Sequence, residues 1–145
     1  MDGIGAMLHV LGGGSENSAD KYYGKKIIDA KTAESPDDYN ACGDKDRGAL
    51  LLAFEGGPTI RIWDNGQSCC ENRYMTTDDN PADLIGQTLV SIQSRDGEDV
   101  DKEYGEVHET CFVIIQGDKS AITLTTHNEN NGYYGGFGLT ITEEK

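Results

Sequence analysis

Apolar residues recur at alternate positions through most of this chain, the period of half-buried strands rather than of helices. In Thr59-Ile60-Arg61-Ile62-Trp63, Ile60 and Ile62 share one face while Arg61 and Trp63 share the other. Trp63 then belongs either to a second layer of core or to an interface. Lys25 to Lys31, Thr88 to Gln93, Glu109 to Gln116, Ser120 to Thr126 and Phe137 to Thr142 read as further strands. Ala49 to Phe54 and Phe112 to Ile115 are apolar on both alternating faces, which predicts central strands covered on both sides. Gly56-Gly57-Pro58, Asp64-Asn65-Gly66 and Gly117-Asp118 carry turn chemistry. Asn80 before Pro81 predicts one short helix near 80–86, with Asn as its cap and Pro at its first position.

A shift of 62 residues overlays the pattern on itself without a gap. Gly24 falls on Gly86, Ile27 on Leu89, Ile28 on Val90 and Ala30 on Ile92. Gly43 falls on Gly105, Leu50 on Phe112, Leu52 on Ile114, Ile60 on Ile122 and Ile62 on Leu124. The fold class is therefore mainly β (a β-rich α+β chain), with two pseudo-equivalent three-stranded antiparallel units at about 22–76 and 84–142. Gly12-Gly13-Gly14-Ser15 cannot pack a core, so residues 1–20 read as a flexible arm before a single domain at 21–145. Ile4 to Leu11 could dock as a short helix or an added strand.

With 26 acidic and 12 basic residues, the formal charge of −14 repels phosphate backbones and anionic lipid. Nucleic acid polymers and membranes are therefore poor partners. The start of the chain lacks a basic segment before its short apolar run, so the expected location is cytoplasmic with reduced cysteines.

After the equivalent hairpins the two halves diverge into polar stretches, read here as loops hung on the sheet. The first includes Gln67-Ser68-Cys69-Cys70-Glu71-Asn72-Arg73-Tyr74-Met75. The second is His127-Asn128-Glu129-Asn130-Asn131-Gly132-Tyr133-Tyr134-Gly135-Gly136-Phe137. A pseudo-dyad could bring them together or set them at opposite ends. These two motifs resemble a family of small proteins seen mainly in phages and prophages and classed as a domain of unknown function. The resemblance runs from about Tyr22 to the C-terminus and implies an accessory protein acting in a host cytoplasm, with no established activity. Where this chain has Asn130, that family often carries His, which weakens a metal reading.

No Cys-x-x-Cys spacing exists, and His108 and Cys111 should face opposite sides of a strand, so no metal and no cofactor is expected. Cys69 or Cys70 with His127 and Glu71 or Glu129 has the residue types of a thiol hydrolase, but nothing fixes their geometry. Gly132 to Gly136 is no phosphate loop, because no helix and no Lys-Ser/Thr follow it. For ligand capture, Arg73 can fork to phosphate, Tyr74, Tyr133 and Tyr134 can stack on a base, and Asn128 and Asn131 can read its edge. The expected ligand-binding set is Gln67, Glu71, Arg73, Tyr74, His127, Asn128, Glu129, Asn131, Tyr133 and Tyr134. The expectation is a binding protein rather than an enzyme, a homo-oligomer that sequesters a small nucleotide-like signal of host antiviral defence. A host protein partner or a structural role in the virion is the alternative, and a thiol- or metal-dependent enzyme the next.

Overall fold

The computed structural model describes residues 19–33, 48–64, 71–97, 100–101, 107–130 and 137–144. The arm before Ala19, the Gly43–Gly105 match and Cys42, Cys69 and Cys70 lie outside them. Alternation produces strands as expected: β1 (Ile27–Ala33), β2 (Ala49–Phe54), β3 (Thr59–Asp64), β4 (Glu71–Thr76), β5 (Leu89–Asp96), β6 (Val100–Asp101), β7 (Val107–Gly117), β8 (Ala121–Asn130) and β9 (Leu139–Glu143). They form two antiparallel sheets, one ordered β1-β2-β3-β9 and one ordered β4-β8-β7-β5, with β6 paired to β7.

The inward faces of both sheets contribute to one apolar cluster that includes Leu50, Leu52, Ile60, Ile62, Val113, Ile115, Ile122 and Leu124. Their burial removes apolar area from water and is the main favourable term in folding. Among the described residues, β2 and β7 are fully covered on their inner faces only. Leu51, Ala53, Phe112 and Ile114 stay half-exposed on the outer faces. Trp63 is on the outer face as well, where its indole Nε1 donates to Thr142 Oγ1 at 3.2 Å. Beside it, the Arg61 guanidinium donates to both carboxylate oxygens of Glu144, at 2.9 and 3.1 Å.

A short 3-10 turn at Pro81–Leu84 stands where the short helix was expected, and Asn80 Oδ1 accepts from the Ala82 amide at 3.1 Å. A second 3-10 turn, at Ala19–Tyr22, was not anticipated. It includes Ala19 and Asp20, which the sequence reading put in the arm, and it buries Ala19. Tyr22 stacks on Phe54 with ring centroids 5.6 Å apart, and its hydroxyl donates to Glu143 Oε2 at 2.6 Å.

The gapless 62-residue overlay does not describe the pairing. Leu50 lies opposite Ile62, whereas Val113 lies opposite Leu124. The outer strands thus correspond at 62 residues and the middle strands at 63, so Leu50 answers to Val113 and not to Phe112. Matching Leu50 to Phe112 would set a core side chain against an outer one, since a one-residue slip exchanges the faces of a strand. With that offset, Ile60 and Ile122 hold like places, opposite Leu52 and Ile115. Both units also carry a bulge at the same point, between Ile27 and Asp29 and between Leu89 and Ser91.

The two sheets meet where Lys26 bridges Thr88. Around that bridge the Gly24 amide donates to Leu89 O and the Gly86 amide to Ile27 O, both at 2.8 Å. The Ile27 amide donates to Gln87 O at 2.8 Å and the Leu89 amide to Lys25 O at 2.9 Å. Exchanging Gly24 with Gly86, Lys25 with Gln87 and Ile27 with Leu89 maps each bond onto another, which defines a local two-fold axis through the bridge. The last strands are exchanged across that axis. β4 follows β3 in the chain but pairs with β8, and β9 follows β8 but pairs with β3.

Gly24 and Gly86 adopt φ of +89° and +92°, and a Cβ on either would meet nothing within 4 Å. Alanine there suffers only the backbone strain of the left-handed region, about 1–2 kcal/mol. Gly24→Ala and Gly86→Ala should each lower the unfolding free energy by that amount, read in chemical unfolding as a lower urea midpoint with the slope unchanged.

Candidate functional site

The two divergent stretches come together. Glu71 to Thr76 is not a loop but strand β4, and β8 continues past Thr126 to Asn130. The two pair antiparallel along their length, with Arg73 opposite Asn128, Tyr74 opposite His127 and Thr76 opposite Thr125. β7 lies on the other side of β8 and sets Thr110 opposite His127 and His108 opposite Glu129.

Strand alternation divides the expected site residues between two faces. Tyr74, His127 and Glu129 gather on the outer, half-exposed face, whereas Asn128 is fully buried on the inner one. Glu71 and Arg73 occupy the register positions opposite Asn130 and Asn128, alternate to Tyr74 along β4. Gln67, Asn131, Tyr133 and Tyr134 lie outside the described residues. Asn128 thus does not share the outer face with Tyr74, His127 and Glu129.

On the outer face the Tyr74 and His127 rings stack 4.4 Å apart at 11°, and the Tyr74 hydroxyl donates to Glu129 Oε2 at 2.6 Å. His127 Nδ1 lies 3.0 Å from His108 Nε2, and His127 Nε2 lies 2.9 Å from Thr76 Oγ1. Each imidazole nitrogen of His127 is thus engaged, and the ring is held from one side by the stack. His108 Nε2 also approaches Glu129 Oε2, at 3.9 Å. Burial and the Glu129 carboxylate push the Tyr74 phenol up to about 12. His127 is held below the ordinary histidine value, by burial first and by His108 second, with Glu129 opposing. It is therefore neutral at pH 7 and able to accept a proton.

The inner face changes character along β8. Ile122 and Leu124 give way to buried Thr126, Asn128 and Asn130. Asn130 Nδ2 donates to Glu109 Oε1 at 3.2 Å and to Asn128 Oδ1 at 3.3 Å. The Thr126 and Ser94 hydroxyls are buried with no hydrogen-bond partner among the described residues. Cys111, opposite Thr126, is fully buried, and burial together with nearby Asp96 pushes its thiol up to about 12. Among the described residues no group of three His, Cys, Asp or Glu side chains is arranged to hold a metal ion.

A cavity of about 540 Å³ opens at the end of the site, lined by Thr32, Ala33, Ala49, Met75, Thr76 and Leu124 among others. Gly48, with φ of +81°, borders it where a Cβ would meet Met75 O at 3.0 Å.

The sequence reading missed His108 and Thr76 as members of this site. A signal for His108 was present, because a tight turn at Gly117-Asp118 fixes the β7–β8 register and carries His108 to the position beside Glu129. Thr76 carried no such signal, since only the pairing of β4 with β8 places it.

The model of a domain of unknown function, DUF7448, matches residues 16–138. The chain belongs to the DUF7448 family. No curated protein and no solved structure matches it significantly. The match spans β4, β7 and β8, so the whole face belongs to the DUF7448 domain. Among its described residues no helix is long and apolar enough to cross a membrane.

Two measurements check these environments. In ¹H–¹⁵N spectra His127 should titrate below 6.5, move upward in His108→Ala and move further down in Glu129→Gln. Because the folded value lies below the unfolded one, the His127 contribution to stability is present above pH 6.5 and is lost as pH falls from there through the lower folded value. Residue-resolved thiol labelling should leave Cys111 unmodified in the native protein and modified in urea.

Proposed function

We propose that this DUF7448 protein is a phage-type accessory binding protein that acts in a host cytoplasm and engages a protein partner through the outer face of β4, β8 and β7. One observation carries the reading: Tyr74, His108, His127 and Glu129 lie side by side on an open sheet face. Such a face suits a broad contact, with an aromatic centre and charged groups that fix orientation. The strong negative charge favours a partner whose contact surface is basic. Self-association belongs to the same proposal and would be read from the mass in solution.

The experiment is a comparison of proteins retained from host extract by the wild type, by Tyr74→Ala/Glu129→Arg and by Trp63→Ala. The first variant alters the proposed face and the second the outer face of the other sheet. A basic partner retained by the wild type and Trp63→Ala but lost from the face variant is expected. Equal retention by all three proteins overturns the reading. A melting temperature raised by a mono- or cyclic nucleotide, with no face-dependent partner, replaces it with small-ligand capture.

A further inference from the structure

A hydroxyl becomes a nucleophile when a neutral imidazole can take its proton and a third group fixes that imidazole. Thr76 Oγ1 lies 2.9 Å from His127 Nε2, and His108 Nε2 lies 3.0 Å from His127 Nδ1. The order is hydroxyl, Nε2, ring, Nδ1, orienting group. With His127 protonated at Nδ1 and donating to His108, its Nε2 is free to accept from Thr76. Tyr74 stacks on the same ring at 4.4 Å and 11°, so the imidazole is restrained in its plane as well as at both nitrogens. Glu129, 3.9 Å from His108 Nε2, places a carboxylate where the ring pair would gain positive charge. Thr76 is exposed, so a substrate can reach its hydroxyl from the outer face.

We propose that Thr76, His127 and His108 form a relay that catalyses hydrolysis of a small, uncharged, activated carboxylic ester. Thr76 Oγ1 is the nucleophile, His127 the base and then the acid, and His108 a positioning residue. In the first step the Thr76 Oγ1–carbon bond forms as the hydroxyl proton passes to His127 Nε2. The bond from carbon to the leaving oxygen then breaks, and the leaving group takes that proton from His127. Water next adds to the acyl carbon and gives a proton to His127, and Thr76 Oγ1 departs with it. The sum is ester plus water giving acid plus alcohol or phenol. The charge of −14 disfavours an anionic ester. The inference does not rest on the partner-binding reading, since its readout needs no partner.

The test uses the full chain with p-nitrophenyl acetate near neutral pH, following nitrophenolate release and the mass of the protein. The expected result is an acetyl group mapped to the peptide containing Thr76. Thr76→Ala and His127→Ala should each slow release by about 10²-fold or more, while Thr76→Ser retains it. A Cys69→Ala/Cys70→Ala variant should react like the wild type. The inflection of rate against pH should lie below 6.5 and rise in His108→Ala, an effect that a merely structural role for His108 would not produce. Urea unfolding of each variant reports whether it is folded, and Thr76→Ser with the double cysteine variant supplies folded comparisons. Acetylation confined to cysteine or lysine, or an unchanged rate in folded Thr76→Ala, overturns the proposal.

Discussion

The rest of the structure depends on the seam where the backbones of β1 and β5 meet around the Lys26–Thr88 bridge. Four hydrogen bonds of 2.8–2.9 Å close there, and they require Gly24 and Gly86 to turn through positive φ. The seam makes one hydrophobic core from two sheets, because Ile27 and Leu89 at its centre are fully buried. It also sets the axis across which β4 and β9 exchange places. Each sheet ends in a strand that follows covalently from the other, so one sheet cannot leave without breaking the ladder of its neighbour. A sandwich built this way does not rely on core packing alone to hold its halves together.

The strands were legible because Ile60, Ile62, Ile122 and Leu124 alternate with polar neighbours, and alternation reports a face whatever lies opposite. The register of the middle strands was not. Ala49 to Phe54 and Phe112 to Ile115 are apolar at every position, so a one-residue offset leaves the sequence pattern unchanged while it exchanges inner and outer residues. Burial decides it: Leu50 and Val113 face the core, and Phe112 does not.

The same principle explains the hidden ends of β4 and β8. Thr126, Asn128 and Asn130 occupy inward positions, so the strand continues after its hydrophobic signal has stopped. A polar residue facing inward is indistinguishable from a loop residue in sequence, and turn-forming Asn strengthened that reading. Whether the two stretches meet was left open by the sequence, and the pairing of β4 with β8 is what brings Tyr74, His127 and Glu129 together. Asn128, buried on the inner face, was grouped with them because the stretch was read without a period of two.

The polar inner row affects how the site is held. A buried hydroxyl without a partner costs about 1–3 kcal/mol, and among the described residues Thr126 and Ser94 are both in that condition. The β4–β8 pair includes Thr126 on its inner face, where β3 has the aliphatic Ile60 and Ile62. Its coherence comes from the backbone ladder, from the Tyr74–Glu129 and Thr76–His127 contacts and from the covalent tie of β4 to the other sheet. Strands held mainly by ladder and polar contacts belong to the low-stability end of a fold. β4 is also an edge strand, since the sheet order begins with it. Local opening of β4 would separate Tyr74 and Thr76 from His127 while β1, β2, β3, β5 and β7 stay paired. The outer face is thus built in part on an edge strand, whose pairing with β8 sets the contacts of Tyr74 and Thr76 with His127.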